Sequence, residues 1–295
     1  MTRAEYTAIP AVNFSSLKHY LRSEKHFLHN FQTPQTAEDD TKAKLLGRAI
    51  HKLILEPDSF GDVYTYLDES QRPFPDKDYK TRANSDWKKT NTEFLQRTGK
   101  EVVTKEEYDN LFAISSSVKA NAPSRQLLKS CKFEEVISWT DKATGVRCKG
   151  IVDFLSVEKR MVGDLKTMED ASPNEFGKYI EKWMTYVQLA FYADGLEAIH
   201  GVPFNTAFVI AVEKSAPFVV QPYYLADDDI ELGRTIYRSL LEKHAKCVEN
   251  NSWGGYEANY QQGSDNCING VIISHLPGWA KVKAESTEFI QNSNK

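Results

Sequence analysis

Asp153, Asp164 and Lys166 stand on two apolar, β-rich segments joined at Glu158-Lys159. Val146 to Val157 and Arg160 to Thr167 read as the strands of an antiparallel hairpin with a tight turn. With Val157 opposite Arg160, paired positions sum to a constant, and that constant sets Asp153 opposite Asp164. Their Cβ atoms are then expected about 4.5–5.5 Å apart on one face. Opposed carboxylates repel, and a fold tolerates them best with a divalent cation between them. Lys166 projects from the same face by the two-residue period, whereas Leu165 points into the core. Oxygen ligands suit Mg2+ or Mn2+, which polarise a phosphate and activate a water, while an ammonium positions that water or offsets developing charge. Phosphodiester hydrolysis is the chemistry expected. An isolated D-x-K tripeptide is common, so the reading depends on what surrounds it.

Several elements must position these groups. Asn13-Phe14-Ser15-Ser16 precedes Leu17, Tyr20, Leu21, Phe27 and Leu28, which reads as one capped amphipathic helix followed by a loop from Thr33 to Asp40. Leu45 to Ile54 recur at helical spacing until Pro57 stops the helix, and His51 lies one turn after Gly47 on it. A polar stretch then carries Arg72, Lys77, Lys80 and Arg82 among Phe74, Tyr79 and Trp87 and leads into a helix starting near Arg82 or Asn84. Basic groups between aromatics suit phosphate contact and base stacking, although a solvated loop has the same composition. Thr104-Lys105-Glu106-Glu107 is a capping-box start for a helix to about Asn121. A strand at Phe133 to Trp139 precedes the hairpin, a helix opens at Ser172-Pro173, and a second runs through Val187 to Leu196. Strands near Phe204 to Val212 and Phe218 to Tyr224, then a helix from Asp227 to about Asn250, complete the pattern.

Composition limits the rest. The chain has 295 residues, 41% hydrophobic and 26% charged, with a net charge of −4. No apolar run approaches the length of a membrane span and no signal core follows the N-terminus, so a cytoplasmic protein is expected. Four scattered cysteines without a C-x-x-C pair suggest neither a zinc ribbon nor a disulfide framework. With this charge, a nucleic-acid partner would be held by a local basic surface. A single domain is expected: helical over about 1–130, a catalytic sheet over about 131–225, and a helix with an irregular tail to 295.

Four short motifs occur in order: Gly47-Arg48-Ala49-Ile50-His51, Gly150-Ile151-Val152-Asp153, Asp164-Leu165-Lys166 and Gln188-Leu189-Ala190-Phe191-Tyr192. They resemble the G-x-x-x-H, G-x-x-D, D-x-K and Q-x-x-x-Y motifs of the RecB-like branch of the P-D-(D/E)-x-K nucleases. With the N-terminal Ser-Ser-Leu-Lys, the segment His51 to Pro57 and the final Leu276-Pro277-Gly278-Trp279, the chain is most similar to the exodeoxyribonuclease VIII (RecE) family of phage exonucleases. Val152 replaces the proline of the nominal superfamily motif, as is usual in this branch.

The resemblance implies an α/β fold with a restriction-endonuclease-like core, a mixed central β-sheet flanked by helices. It implies Asp153, Asp164 and His51 as metal ligands, with the Leu165 carbonyl completing the site, and Lys166 as the catalytic lysine. Gln188 and Tyr192, one turn apart, would orient the site or touch the scissile strand. Related nucleases carry a supporting carboxylate on the preceding strand; alternation lets only one of Glu134 and Glu135 face the site, and Glu135 is preferred. Ser16 and Lys18 open a helix whose N-terminus could hold a terminal phosphate. The activity implied is Mg2+-dependent digestion of double-strand DNA ends from 5′ to 3′, with Mn2+ able to substitute. The 3′ overhangs would pass to a single-strand annealing protein, RecT-like, and the enzyme would form a trimeric or tetrameric ring. A structure-specific or restriction-type endonuclease and a non-catalytic DNA-binding scaffold are the competing readings.

Overall fold

The change of hydrophobic period after Ser130 marks where helices give way to the central sheet. The computed structural model describes residues 3–33, 41–71, 73, 81–259, 267–268 and 271–274. Its helices are α1 (Arg3–Ala8), α2 (Phe14–Leu17), α3 (Glu24–Gln32), α4 (Lys42–Leu55), α5 (Phe60–Val63), α6 (Arg82–Thr98), α7 (Lys105–Ala120), α8 (Ala122–Leu128), α9 (Pro173–Trp183), α10 (Thr185–His200) and α11 (Asp227–Asn250). The strands are β1 (Tyr64–Tyr66), β2 (Glu101–Val103), β3 (Lys132–Thr140), β4 (Arg147–Ser156), β5 (Met161–Met168), β6 (Thr206–Glu213), β7 (Val220–Tyr224), β8 (Cys267–Ile268) and β9 (Val271–Ile272). Two compact units result, one from Met1–Leu17 and Pro34–Ala245, the other from Lys18–Thr33 and Lys246–Lys295.

The larger unit is built on a five-stranded mixed sheet in the order β3-β4-β5-β6-β7. β3, β4 and β5 form an antiparallel meander, β6 returns parallel to β5 through α9 and α10, and β7 is antiparallel to β6. Phe154 pairs with Gly163, Leu155 with Val162 and Ser156 with Met161, the constant expected from the turn at Glu158-Lys159. Successive side chains point to opposite faces, and both faces of β5 are covered from Met161 to Leu165. Leu165, Ile210, Val212 and Phe154 join Ile50 and Leu53 of α4 and Leu111, Ile114 and Val118 of α7 in one core. Asp164, the neighbour of Leu165, turns the other way, where Gln188 of α10 meets it.

The helices begin and end where local chemistry dictates. Thr41 accepts a hydrogen bond from the Lys44 N–H at the start of α4, and Pro57 terminates it. Thr104 and Glu107 make the reciprocal capping box of α7. Across the sheet, α10 is fixed by α11. Arg238 reaches Asp194 of α10 at 3.2 Å and the buried Asp141 of the β3–β4 turn at 2.7 Å, and Arg234 pairs with Asp194 at 2.8 Å. Such a network fixes the rotation of α10 and hence the direction of its site-facing residues.

Two sequence expectations require correction here. The single helix from Asn13 to Leu28 is broken into α2, a 3-10 turn at Lys18–Leu21, and α3. Asn13 and Ser16 cap the first piece reciprocally at 2.8–3.1 Å, and Ser23 starts the last by accepting from the His26 N–H. The parallel ladder of β1 with β2 was not anticipated, because three-residue strands are too short to display a period. The loop expected at Thr33 to Asp40 lies, beyond Thr33, outside the described residues.

In the smaller unit, Tyr20 stacks on Phe27 at 4.2 Å and Phe27 on Trp253 at 5.8 Å. Glu24 accepts from the Gly254 N–H at 2.6 Å. Among the described residues no helix is long and apolar enough to cross a membrane.

Candidate active site

β4 and β5 stay paired for only three positions, and the site lies where they part. Past Phe154 and Gly163, Oδ2 of Asp153 accepts the Leu165 N–H at 2.7 Å in place of a ladder bond. Nearer its start, β4 is paired on the same edge by Val12: the Val12 N–H donates to Arg147 O at 2.9 Å and the Lys149 N–H to Val12 O at 2.8 Å. Buried backbone groups must find partners, so a side chain and a crossing segment take over where the neighbouring strand departs. Lys149, itself buried, donates its ammonium protons to the carbonyls of Tyr6, Thr7 and Ile9 at 2.8–3.2 Å and thereby fastens the end of α1 to β4.

Three elements converge on this opening. His51 Nδ1 lies 3.4 Å from Asp153 Oδ2 and 3.9 Å from Glu134 Oε1. One ligand atom from each of His51, Glu134 and Asp153 falls within 4.8 Å of the others, a spacing that fits one cation. Glu134, and not Glu135 as preferred from sequence, is the supporting carboxylate brought here. Phe133 pairs with Phe154 and Glu135 with Val152, so Glu134 stands across from Asp153, with a left-handed φ of 50°. The connection from Asp141 to Val146 left the parity of this pairing open in the sequence.

Asp164 is 2% exposed and lies outside that triad. Its Oδ1 accepts from Gln188 Nε2 at 3.5 Å, and Oδ2, without a well-aligned hydrogen bond, is 2.6 Å from Lys166 Nζ. Burial pushes the Asp164 carboxyl up to about 6; Lys166 pulls it back and Asp153 adds to the rise. Burial works against protonated Lys166, but Asp164 and Asp153 outweigh it and hold the ammonium on. Burial also works against protonated His51, and Asp153 and then Glu134 overcome it, raising its pKa. Imidazole and carboxylate donors beside a carboxylate that resists ionisation fit a hard divalent cation, which would favour the anionic and neutral-imidazole forms a ligand needs.

Gln188 Nε2 also reaches the Tyr192 hydroxyl at 3.3 Å, so the two α10 residues act as one support for Asp164. The Tyr192 ring packs against Gly150: a Cβ there would stand 2.4 Å from Cε1. The first position of the G-x-x-D motif is thus glycine for a packing reason. Gly150→Ala is expected to cost about 1–3 kcal/mol through overpacking and to displace Tyr192; a denaturant midpoint unchanged from wild type would contradict this.

The nucleic-acid candidates fare differently. Ser16 spends its hydroxyl on the Asn13 cap, and Lys18 belongs to the smaller unit. Arg82 opens α6, almost fully exposed, 3.8 Å from Asp86. Arg72, Lys77 and Lys80 lie outside the described residues, as does Leu276-Pro277-Gly278-Trp279. Sequence reasoning missed Tyr179 of α9, which is half-buried and close enough to interact electrostatically with Lys166 and Asp164. Nothing in its local sequence distinguishes it from an ordinary aromatic on an amphipathic helix.

A mixed sheet with this helix placement, and acidic groups with a lysine where two of its strands part, define the restriction-endonuclease-like class. Residues 13–263 match the family described as a PDDEXK-like domain of unknown function (DUF3799), and the chain belongs to that family. The fold is also that of a crystal structure described as "Putative exonuclease" from Eubacterium rectale, 12% identical, with a TM-score of 0.57 over 96% of this chain and 98% of that one. A structure described as SSO0001, 14% identical over 70% of this chain and 85% of its own, has a TM-score of 0.27. No curated protein sequence matches the chain.

Proposed function

We propose that the protein is a Mg2+-dependent double-strand DNA exonuclease of the RecE type, acting from 5′ to 3′ and leaving 3′ overhangs for a single-strand annealing protein. The observation that carries this reading is the meeting of His51, Glu134 and Asp153 beside the buried Asp164–Lys166 pair. His51, Asp153, Asp164 and the Leu165 carbonyl would hold the metal, with Glu134 as a further carboxylate ligand. Bound there, Mg2+ supplies Lewis acidity and a nucleophile active at neutral pH. Lys166 keeps its proton and places a positive charge where charge develops on the phosphate. Gln188, anchored by Tyr192, holds the Asp164 carboxylate in register. A trimeric or tetrameric ring would retain an acidic chain on DNA by topology.

End-labelled linear and closed circular duplex incubated with Mg2+ test the proposal. Loss of the 5′ label from linear DNA alone is expected. Nicked circles would replace the exonuclease with an endonuclease on the same core, and no cleavage of either substrate would overturn the nuclease reading.

A further inference from the structure

An aromatic step leads outward from the catalytic pair. Lys166 lies two residues from the C-terminal end of a parallel strand pair, the edge at which open α/β sheets present ligands. Asp164 is closed to solvent, whereas the Lys166 side chain keeps 20% of its surface, so of the catalytic pair the lysine is the member a substrate can touch. α9 follows β5 and is seated by Phe176, which stacks on Tyr223 of β7 at 3.8 Å. On the same helix Tyr179 is half-buried and within electrostatic reach of the catalytic pair, and one turn on Trp183 is 48% exposed, their rings 6.2 Å apart. Lys182 holds its ammonium 5.5 Å above the indole. Burial of Phe176 explains the anchor of α9, but core packing does not explain a half-exposed tryptophan.

We propose that Tyr179 and Trp183 form a stacking ledge for the unpaired bases of the single strand adjoining the scissile phosphate, with Lys182 reaching that strand's backbone. This rests on the nuclease reading and adds the part of the substrate the site grips. Bases of any identity stack on an aromatic ring, so the ledge confers hold without sequence preference. Tyr179, the inner ring, is within electrostatic reach of Lys166, so a strand stacked along the ledge from Trp183 to Tyr179 runs toward the catalytic pair. Phosphates flanking the stacked bases carry the charge that Lys182 answers. The double helix keeps its bases covered, so the ledge takes a frayed end or a single-stranded tail.

Fluorescence anisotropy on the full-length protein without added metal tests the ledge. The probes are a duplex with a labelled oligo-dT tail and the same duplex with an abasic tail. Trp183→Ala is expected to bind the dT-tailed probe at least about 5-fold more weakly than wild type, Trp183→Phe to recover most of that loss, and all three proteins to bind the abasic probe alike. Equal binding of the dT tail by wild type and Trp183→Ala overturns the ledge while leaving the nuclease reading intact, and so does an equal loss on the abasic tail. Wild type that binds neither probe overturns both.

Discussion

Asp164→Asn is expected to lower hydrolysis by at least about 10^3-fold while leaving the fold intact, the upper range for losing one preorganised charged group. The amide keeps the shape of the carboxylate in a position only 2% exposed, so packing is preserved. It removes the negative charge and leaves Lys166 with Asp153 as its remaining carboxylate. A second consequence separates this residue from a merely structural one. In metal-free wild type the folded state holds the Asp164 proton up to about pH 6, whereas the free side chain ionises near 3.8. Below that lower value both states are protonated and the group costs nothing. As pH rises through about 6, the folded protein must carry a buried anion and stability is lost. The Asn variant should therefore gain thermal stability relative to wild type between pH 4 and pH 7, in the absence of metal. Scanning calorimetry at the two pH values measures this; a difference between the proteins that does not change with pH would contradict it, and wild-type turnover in the variant would remove Asp164 from the site.

The second large effect concerns the ligands. His51→Ala removes the imidazole that lies 3.4 Å from Asp153, and Glu134→Gln removes the carboxylate charge opposite it. Both variants should need a higher metal concentration for half-maximal rate, His51→Ala the more severely because it deletes the donor outright. Gln188→Ala acts through Asp164 and not on the metal, and a lost outer partner costs about 10- to 100-fold. It should remain a slow nuclease with the wild-type metal requirement. Rates measured across a Mg2+ series for the three variants check this order; a kinetically silent His51→Ala would detach α4 from the site.

How far these groups could be read from the sequence depends on how local their signal is. The hairpin constant was legible because Glu158-Lys159 leaves a tight turn and hence one register, but the ladder keeps it only from Ser156–Met161 to Phe154–Gly163 and ends one step before Asp153 and Asp164, where the strands part. The direction of Leu165 followed from alternation, and α4 from its apolar spacing and Pro57. Glu134 was misjudged for the complementary reason: six residues from Asp141 to Val146 leave the facing residue undetermined by one position, and a one-residue slip exchanges the faces. Tyr179 was invisible because the path of α9 back over the sheet after β5 is set by tertiary packing and not by any local pattern. The gap filled by Val12 and the Asp153 side chain likewise required knowing that β4 leaves β5 after three pairs. Pairing constants survive in sequence where connections are tight, whereas tertiary approach does not.

The central claim is that the opening between β4 and β5 binds a divalent cation through His51, Glu134 and Asp153. Calorimetric titration of Mn2+ into wild type, Glu134→Gln and Glu135→Gln tests it without reference to activity. Saturable binding to wild type and to Glu135→Gln, with clearly weakened binding to Glu134→Gln, is the result expected. Binding left unchanged by Glu134→Gln but lost in Glu135→Gln, or no saturable binding to wild type, would contradict the account.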